Sequence, residues 1–148
     1  MEIAEEKASE SKSQEQSKLK MLIVEDDFPS CEVLKEYLSE YGDCTTTANG
    51  AEGVEAFRNA LDAGTPYDLV CLDIMMPEMD GHEALRTIRQ IEQDRGILDS
   101  SGVRVIMTTA KDRSRDMIKA FDEGCASYIV KPIEQEKLVA EMQKLDLI

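Results

Sequence analysis

The sequence lacks any apolar run long enough to cross a membrane. A spanning helix needs about 18 or more consecutive apolar residues, and every apolar run in this 148-residue chain is much shorter. The first 18 residues, MEIAEEKASESKSQEQSK, also lack the basic start and apolar centre of a secretory signal peptide. We therefore expect no membrane span and no export, and we predict a cytoplasmic location.

Basic residues are also scarce. The chain has 17 Lys and Arg against 31 Asp and Glu, which gives a formal net charge of -14. Nucleic-acid binding depends on clustered Lys and Arg side chains that neutralise phosphates, so no nucleic-acid partner is expected. A protein with a more basic surface is the expected partner.

The four cysteines include no C-x-x-C pair: they are Cys31, Cys44, Cys71 and Cys125. Cys71 lies within an apolar run that is typical of a buried strand. Reduced, mostly buried thiols are therefore favoured over a disulfide or a zinc site.

Composition divides the chain into two parts. Residues 1–18 are rich in Glu, Ser, Lys and Gln, which predicts a solvated, mobile acidic and polar tail, with a frayed helix as the alternative. Residues 19–148 are enough for one domain with a core of its own.

Five short runs predict five strands. They are Leu22–Val24, Thr45–Ala48, Leu69–Leu72, Val103–Met107 and Tyr128–Val130. Most are continuously apolar rather than alternating, as a parallel sheet covered on both faces requires. The second run is the weakest, because its threonines fit a strand without adding much hydrophobicity.

The segments between these runs have helical spacing. The first carries an apolar stripe of Val33, Leu34, Tyr37, Leu38 and Tyr41. Gly42 is expected to end this helix as a left-handed cap, and Asn49 is expected to begin the next. Alternating strands and helices predict a flavodoxin-like, doubly wound, five-stranded parallel sheet of order 2-1-3-4-5 with five helices.

Acidic residues follow two of the predicted strands. Glu25, Asp26 and Asp27 follow the first strand, and Asp73 follows the third. In the order 2-1-3-4-5 these strands are neighbours, so their acids should meet at the carboxyl edge, where such sheets bind ligands. Carboxylates held close together repel each other. A hard divalent cation with oxygen ligands removes that penalty, and Mg²⁺ fits best.

Such a cluster is suited to phosphoryl transfer. A carboxylate beside Mg²⁺ can attack phosphorus and form an aspartyl phosphate, so Asp73 is the predicted nucleophile. Lys131, which follows the fifth strand, would neutralise charge on the transferred group. The hydroxyl of Thr109 could hydrogen-bond a phosphoryl oxygen.

Four motifs in this order, LIVEDD, LDIMMPEMDG, VIMTTA and YIVKP, resemble the receiver domain of two-component response regulators. The resemblance covers about residues 20 to 145. It implies a phosphorelay signalling switch, with Mg²⁺ as cofactor and a sensor histidine kinase or histidine phosphotransfer protein as donor. It also implies that the protein is not an enzyme beyond its own phosphotransfer and slow autodephosphorylation.

The resemblance assigns roles to individual residues. Asp73 corresponds to the phospho-acceptor, and Lys131 to the lysine that contacts the phosphate, whose bond to Pro132 is often cis in the family. Thr109 and Tyr128 correspond to the switch pair, with Thr108 as the rival of Thr109. Movement of the switch pair would alter a target-binding face on the fourth helix, the fifth strand and the fifth helix, roughly residues 112 to 145.

The resemblance also implies a set of metal ligands. Glu25 and Asp26 correspond to the acidic pair, and Met75 would contribute its backbone carbonyl. Because three acids run together, the pair Asp26 and Asp27 is the alternative register. Glu25 and Asp26 are preferred because Asp27 suits the cap of the next helix, with Pro29 in its first turn.

Two other functions fit less well. A Mg²⁺-dependent phosphatase that forms an aspartyl phosphate generally needs an acid two residues after the nucleophile, where Met75 stands. A flavodoxin-like redox carrier needs a Ser-, Thr- or Gly-rich phosphate loop after the first strand, and no such loop is present there.

The chain also ends soon after the fifth helix, so we expect a stand-alone regulator of the chemotaxis type, without a DNA-binding output domain. His82 is expected on the surface.

The residues that border the acceptor predict a long-lived phosphorylated state. Met75 lies two residues after Asp73, and Lys111 lies two residues after Thr109. Met75 cannot orient a water molecule, and a protonated lysine has no acceptor lone pair. Slow hydrolysis is therefore expected.

Overall fold

A computed structural model of the chain describes residues 18–110 and 114–148, with nothing given for the side chain of Ser114. The strands are β1 Leu19–Val24, β2 Gly42–Thr47, β3 Leu69–Asp73, β4 Arg104–Thr109 and β5 Ser127–Val130. The helices are α1 Phe28–Leu38, α2 Gly50–Asp62, α3 Gly81–Asp94, α4 Ser114–Asp122 and α5 Gln135–Lys144, and a short 3-10 helix spans Asp99–Ser101. Except for its last residue, the predicted tail (1–18) lies outside the described residues.

The five strands form one parallel sheet in the order β2-β1-β3-β4-β5. This confirms the predicted flavodoxin-like, doubly wound fold with five helices. The chain runs outward from β1 to β2 and then returns to β3 on the other side of β1. The carboxyl ends of β1 and β3 therefore flank the point where the strand order reverses, which is where this fold binds ligands.

Helices cover both faces of the sheet. The face under α1 and α5 is packed with side chains that include Leu34, Leu38, Leu138 and Met142. The face under α2, α3 and α4 is packed with side chains that include Phe57, Leu85, Ile88 and Ala120. Successive residues of a strand point to opposite faces. Strands buried on both faces must therefore be apolar at every position, which explains the continuous runs.

The end of α1 differs from the expectation. The helix ends at Leu38, and the backbone N–H of Ser39 donates to the carbonyl of Lys35 at 2.9 Å. Gly42 is not a left-handed cap: it begins β2 and pairs with Leu19 of β1. A side chain at Gly42 would collide with the backbone of Leu19, so close strand approach explains this glycine.

Side-chain caps begin the helices that follow β1 and β2. The carboxylate of Asp27 accepts a hydrogen bond from the N–H of Ser30 at 3.1 Å, and Pro29 lies in the first turn of α1. The amide oxygen of Asn49 accepts from the N–H of Glu52 at 2.8 Å. Both caps agree with the sequence prediction, and each satisfies a backbone donor that the first helical turn leaves unpaired.

His82 is buried, so the expectation of a surface position is wrong. Its side chain lies at the start of α3, with Nδ1 2.6 Å from Oε1 of Glu123 and Nε2 3.8 Å from Oδ1 of Asp116. Arg86, one turn further along α3, also pairs with Glu123. These contacts attach α3 to both ends of α4.

The four cysteines are free thiols. Burial raises the pKa of Cys71 to about 12 and that of Cys125 to about 11. Because the thiolate is the reactive form, both thiols are unreactive near neutral pH. Among the described residues, no helix combines the length and the apolar character that a bilayer crossing requires.

Candidate functional site

The fold brings four charged side chains together at the carboxyl edge of the sheet. Glu25 and Asp26 directly follow β1, Asp73 ends β3, and Lys131 directly follows β5. The three acids each place a carboxylate oxygen within 4.8 Å of the others. The ammonium of Lys131 contacts Oε1 of Glu25 and lies 3.4 Å from Oδ1 of Asp73.

Asp27, the alternative member of the acidic pair, has another role. Its exposed carboxylate accepts hydrogen bonds from the hydroxyl of Ser30 at 2.6 Å and from the backbone N–H of Ser30 at 3.1 Å. These hydrogen bonds hold the pKa of Asp27 below its usual range. The acids that the structure groups with Asp73 are therefore Glu25 and Asp26.

The environment of Asp73 opposes its ionisation. Asp73 and Glu25 are each only 3% exposed. Burial, together with hydrogen bonding and repulsion from Glu25, raises the pKa of Asp73 to about 8, although Lys131 acts in the opposite direction. Burial lowers the pKa of Lys131, but its interactions with Glu25 and Asp73 outweigh that effect and hold the pKa above its usual value. The side chain of Lys131 therefore stays protonated. Asp73 needs additional positive charge nearby to favour its ionised form.

The residues present fit a divalent metal ion. Within residues 18–110 and 114–148, two buried carboxylate oxygens, Oε1 of Glu25 and Oδ1 of Asp73, lack a hydrogen bond of good geometry, although the charge of Lys131 lies close to both. Carboxylate oxygens are the ligands that Mg²⁺ prefers. The cluster of Glu25, Asp26 and Asp73 could hold such an ion. Met75, with its side chain exposed, lies two residues beyond Asp73 in the loop before α3, and the role of its carbonyl stays a prediction.

Two neighbouring threonines at the end of β4 face opposite sides of the sheet. Thr108 pairs in register with Asp73, and the alternation of β4 places both on the face under α1 and α5. Thr109 is buried and lies on the face under α2, α3 and α4. Tyr128 is partly buried and packs against the core on that second face. The predicted switch residues thus share one face, while their roles stay predictions.

Gly81 shapes the site in a way that the sequence analysis missed. Its backbone N–H donates to the carbonyl of Ile74 at 2.9 Å. A Cβ atom at this position would lie 2.7 Å from the Cα of Ile74 and would collide with the carbonyl of Asp73. Glycine therefore lets α3 begin directly against the end of β3. The Asp80-Gly81 pair, a helix cap followed by the smallest residue, is the signal that could have identified this contact.

Comparisons with known proteins agree with this geometry. The sequence model of the response regulator receiver domain family matches residues 21–143. The probable transcriptional regulator ycf29 of Porphyra purpurea is 34% identical over 125 residues, which are 84% of this chain and 55% of that protein. Hybrid signal transduction histidine kinase L of Dictyostelium discoideum is 31% identical over 140 residues, which are 93% of this chain and 8% of that protein.

A solved structure shows the same fold. One chain of the CheX-CheY-BeF3-Mg+2 complex from Borrelia burgdorferi aligns with a TM-score of 0.74 and 28% identity, over 86% of this chain and 89% of that chain. The present chain spans about half the length of the ycf29 protein and less than a tenth of the kinase. The similarity therefore covers one domain of longer relatives.

Magnesium binding should separate the two registers of the acidic pair. We expect Asp26→Asn and Asp73→Asn each to weaken Mg²⁺ binding about tenfold or more, because each removes a carboxylate ligand. Asp27→Asn should bind Mg²⁺ like the wild type, since asparagine caps a helix as well as aspartate does. Isothermal titration calorimetry measures all three affinities. Loss of affinity in Asp27→Asn, with none in Glu25→Gln, would favour the alternative register.

Proposed function

The chain belongs to the response regulator receiver domain family, and from that membership we propose that Asp73 accepts a phosphoryl group from a phosphohistidine and thereby switches binding to a target protein. Receiver domains are phospho-acceptor switches of two-component signalling rather than conventional enzymes. The observation that carries the proposal is the meeting of Asp73 with Glu25, Asp26 and Lys131 at one edge of the sheet.

Each residue of the site has a separate role in the proposed phosphoryl transfer. An oxygen of Asp73 attacks phosphorus, the new P–O bond forms as the P–N bond to the donor imidazole breaks, and the electron pair leaves with the imidazole. Lys131 stabilises negative charge on the transferred group, and Thr109 donates a hydrogen bond to one of its oxygens. Bound Mg²⁺, held by Glu25, Asp26, Asp73 and the carbonyl of Met75, would supply the additional positive charge.

Receiver domains interact with histidine kinases or phosphotransfer proteins. For this chain we propose that the donor docks over an apolar surface beside Asp73. Phe28 is 73% exposed and Met75 is 53% exposed. Pro29, which follows Phe28, also lines a groove of about 300 Å³, together with Val33, Tyr37, Lys131, Pro132 and Ile133. Exposed apolar side chains in the segments that follow β1 and β3 support protein docking.

We also propose that the protein acts in the cytoplasm. All four cysteines are free thiols, which is the form that a reducing compartment maintains. A partner kinase that phosphorylates the receiver would meet it there.

Phosphorylation of Asp73 is the direct test of the proposed function. We expect acetyl phosphate with Mg²⁺ to label the wild type at one site and to leave Asp73→Asn unlabelled, because an amide is not a nucleophile toward phosphorus. Asp43→Asn is the matched control, since Asp43 is exposed and pairs only at the surface with Lys18. Intact-mass spectrometry measures the labelling. Retained labelling of Asp73→Asn would refute the assignment of the acceptor.

The target-binding face is proposed to lie on α4, β5 and α5. Thr109 and Tyr128 lie on the face of the sheet under α2, α3 and α4, so movement of Thr109 toward a phosphoryl group would be transmitted to this side. The exposed surface of α4 carries Ile118 and Phe121, which are 62% and 47% exposed. A local change of charge would thus bias the packing of a surface that offers apolar contacts.

Amide chemical shifts can locate this face. We expect addition of beryllofluoride to the Mg²⁺-loaded protein to shift the amide signals of α4, β5 and α5 as well as those of the site. The same addition to Asp73→Asn provides the control, because the mimic needs the carboxylate. Shifts confined to the site and to α1 and α2 would show that the target face lies elsewhere.

We also propose that the phosphoryl group on Asp73 is hydrolysed slowly. Met75 is exposed beside the acceptor, and its apolar side chain can shield phosphorus from water but cannot orient a water molecule. Lys111, the second residue that the sequence analysis named, lies outside the described residues. Slow autodephosphorylation would suit a sustained or relayed signal.

Hydrolysis rates test this shielding. We expect Met75→Asn combined with Lys111→Glu to release phosphate about tenfold faster or more than the wild type, because the new polar pair can orient and activate a water molecule. Phosphate release from the purified phosphoprotein measures the rate. Leu98→Asn, which replaces an exposed apolar side chain that precedes β4, should leave the rate unchanged. A double variant no faster than the wild type would contradict the prediction.

A further inference from the structure

Thr108 carries a buried hydroxyl group that the described part of the chain leaves unpaired. The residue is 1% exposed, and Oγ1 has no hydrogen-bond partner within residues 18–110 and 114–148. An unpaired buried hydroxyl is costly, whereas valine would fill nearly the same space in a strand without that cost. A native group of this kind calls for an explanation in terms of function.

The position of Thr108 supplies such an explanation. Thr108 is the register partner of Asp73 in the neighbouring strand, and its carbonyl accepts a hydrogen bond from the N–H of Ile74 at 2.9 Å. Side chains paired in this way stand next to each other on the same face of a sheet. Oδ1 of Asp73 is itself a buried oxygen without a hydrogen bond in the described residues. A hydroxyl without a hydrogen bond therefore lies on a side chain adjacent to an acceptor oxygen that also lacks one, although that oxygen is ion-paired with Lys131.

We propose that Thr108 is a positioning residue for Asp73. Rotation about χ1 by about 120° moves the hydroxyl of threonine into a position that the methyl group or the hydrogen atom on Cβ held before, and in one of these rotamers the hydroxyl donates to Oδ1 of Asp73. That hydrogen bond, together with Lys131 at 3.4 Å from the same oxygen, orients the carboxylate so that its other oxygen faces the phosphorus. Orientation of a reacting group accelerates transfer. The inference rests on the proposed function of Asp73 as acceptor.

This role differs from that of Thr109. Thr109 lies on the opposite face of the sheet and is proposed to contact the phosphoryl group after transfer. Thr108 acts on the acceptor before and during transfer, on the face that it shares with Asp73. The two adjacent hydroxyls would thus affect different steps.

The test compares Thr108→Val, which removes only the hydroxyl, with Thr108→Ser, which keeps it. The rate of labelling by acetyl phosphate at saturating Mg²⁺ is followed by intact-mass spectrometry, and urea unfolding gives the stability of each variant. We expect Thr108→Val to be labelled about tenfold more slowly, equivalent to about 1.4 kcal/mol, and Thr108→Ser to keep a rate near that of the wild type. Thr108→Val should have a urea midpoint close to that of the wild type, because valine fills nearly the same space and Lys131 still lies 3.4 Å from Oδ1 of Asp73.

The outcomes separate this inference from the function on which it rests. A wild type that takes up no label would refute the proposed function itself. A normal rate in Thr108→Val, with a labelled wild type, would overturn the positioning role and leave the proposed function standing. Equal slowing in Thr108→Val and Thr108→Ser would also overturn the positioning role. Slowing of Thr108→Val together with a lowered urea midpoint would do the same. Both results would show that altered packing, rather than loss of the hydroxyl, reduces the labelling rate.

Discussion

Repulsion among three carboxylates is the constraint on which the rest of this structure depends. Glu25, Asp26 and Asp73 stand within 4.8 Å of one another, two of them buried. Lys131 is the cation that contacts this group in the described chain, and its charge does not prevent the pKa of Asp73 from rising to about 8. A rigid sheet, buried on both faces, holds the acids in this unfavourable arrangement. A bound cation would relieve this repulsion, and the three acids could hold a metal ion of the kind that the proposed phosphoryl transfer requires.

The residues of the proposed function lie on both faces of the sheet. The face under α1 and α5 contains the side chains of Asp73 and Thr108, and it adjoins the apolar surface proposed for the phosphoryl donor. The face under α2, α3 and α4 contains Thr109 and Tyr128, and it leads toward the proposed target surface. Under the proposed function, the phosphoryl group would therefore arrive on one side of β4, and the residues proposed to respond to it lie on the other side. Because neighbouring residues of a strand point to opposite faces, the adjacent pair Thr108 and Thr109 can serve both sides.

Contacts between distant segments explain where the sequence analysis failed. His82 follows a helix cap, which resembles a surface position, but its partner Glu123 lies 41 residues further along the chain. Gly42 follows a helical stripe, which resembles a left-handed cap, but it is needed for close approach to Leu19 across two strands. Neither contact can be recognised from the local periodicity or composition of the sequence. Both depend on how complete elements pack against each other.

The sequence by itself determined the five strands, the five helices, the sheet order and the meeting of acids at one edge. It could do so because the strands, the helices and the positions of the acids follow from short-range patterns, and the order 2-1-3-4-5 is one of the few that doubly wound sheets adopt. Only the tertiary structure decided that His82 is buried, that Gly81 lets α3 begin against the end of β3, and that the hydroxyl of Thr108 has no partner within residues 18–110 and 114–148. These features depend on side-chain direction and on the partners that packing provides, and a linear pattern carries neither.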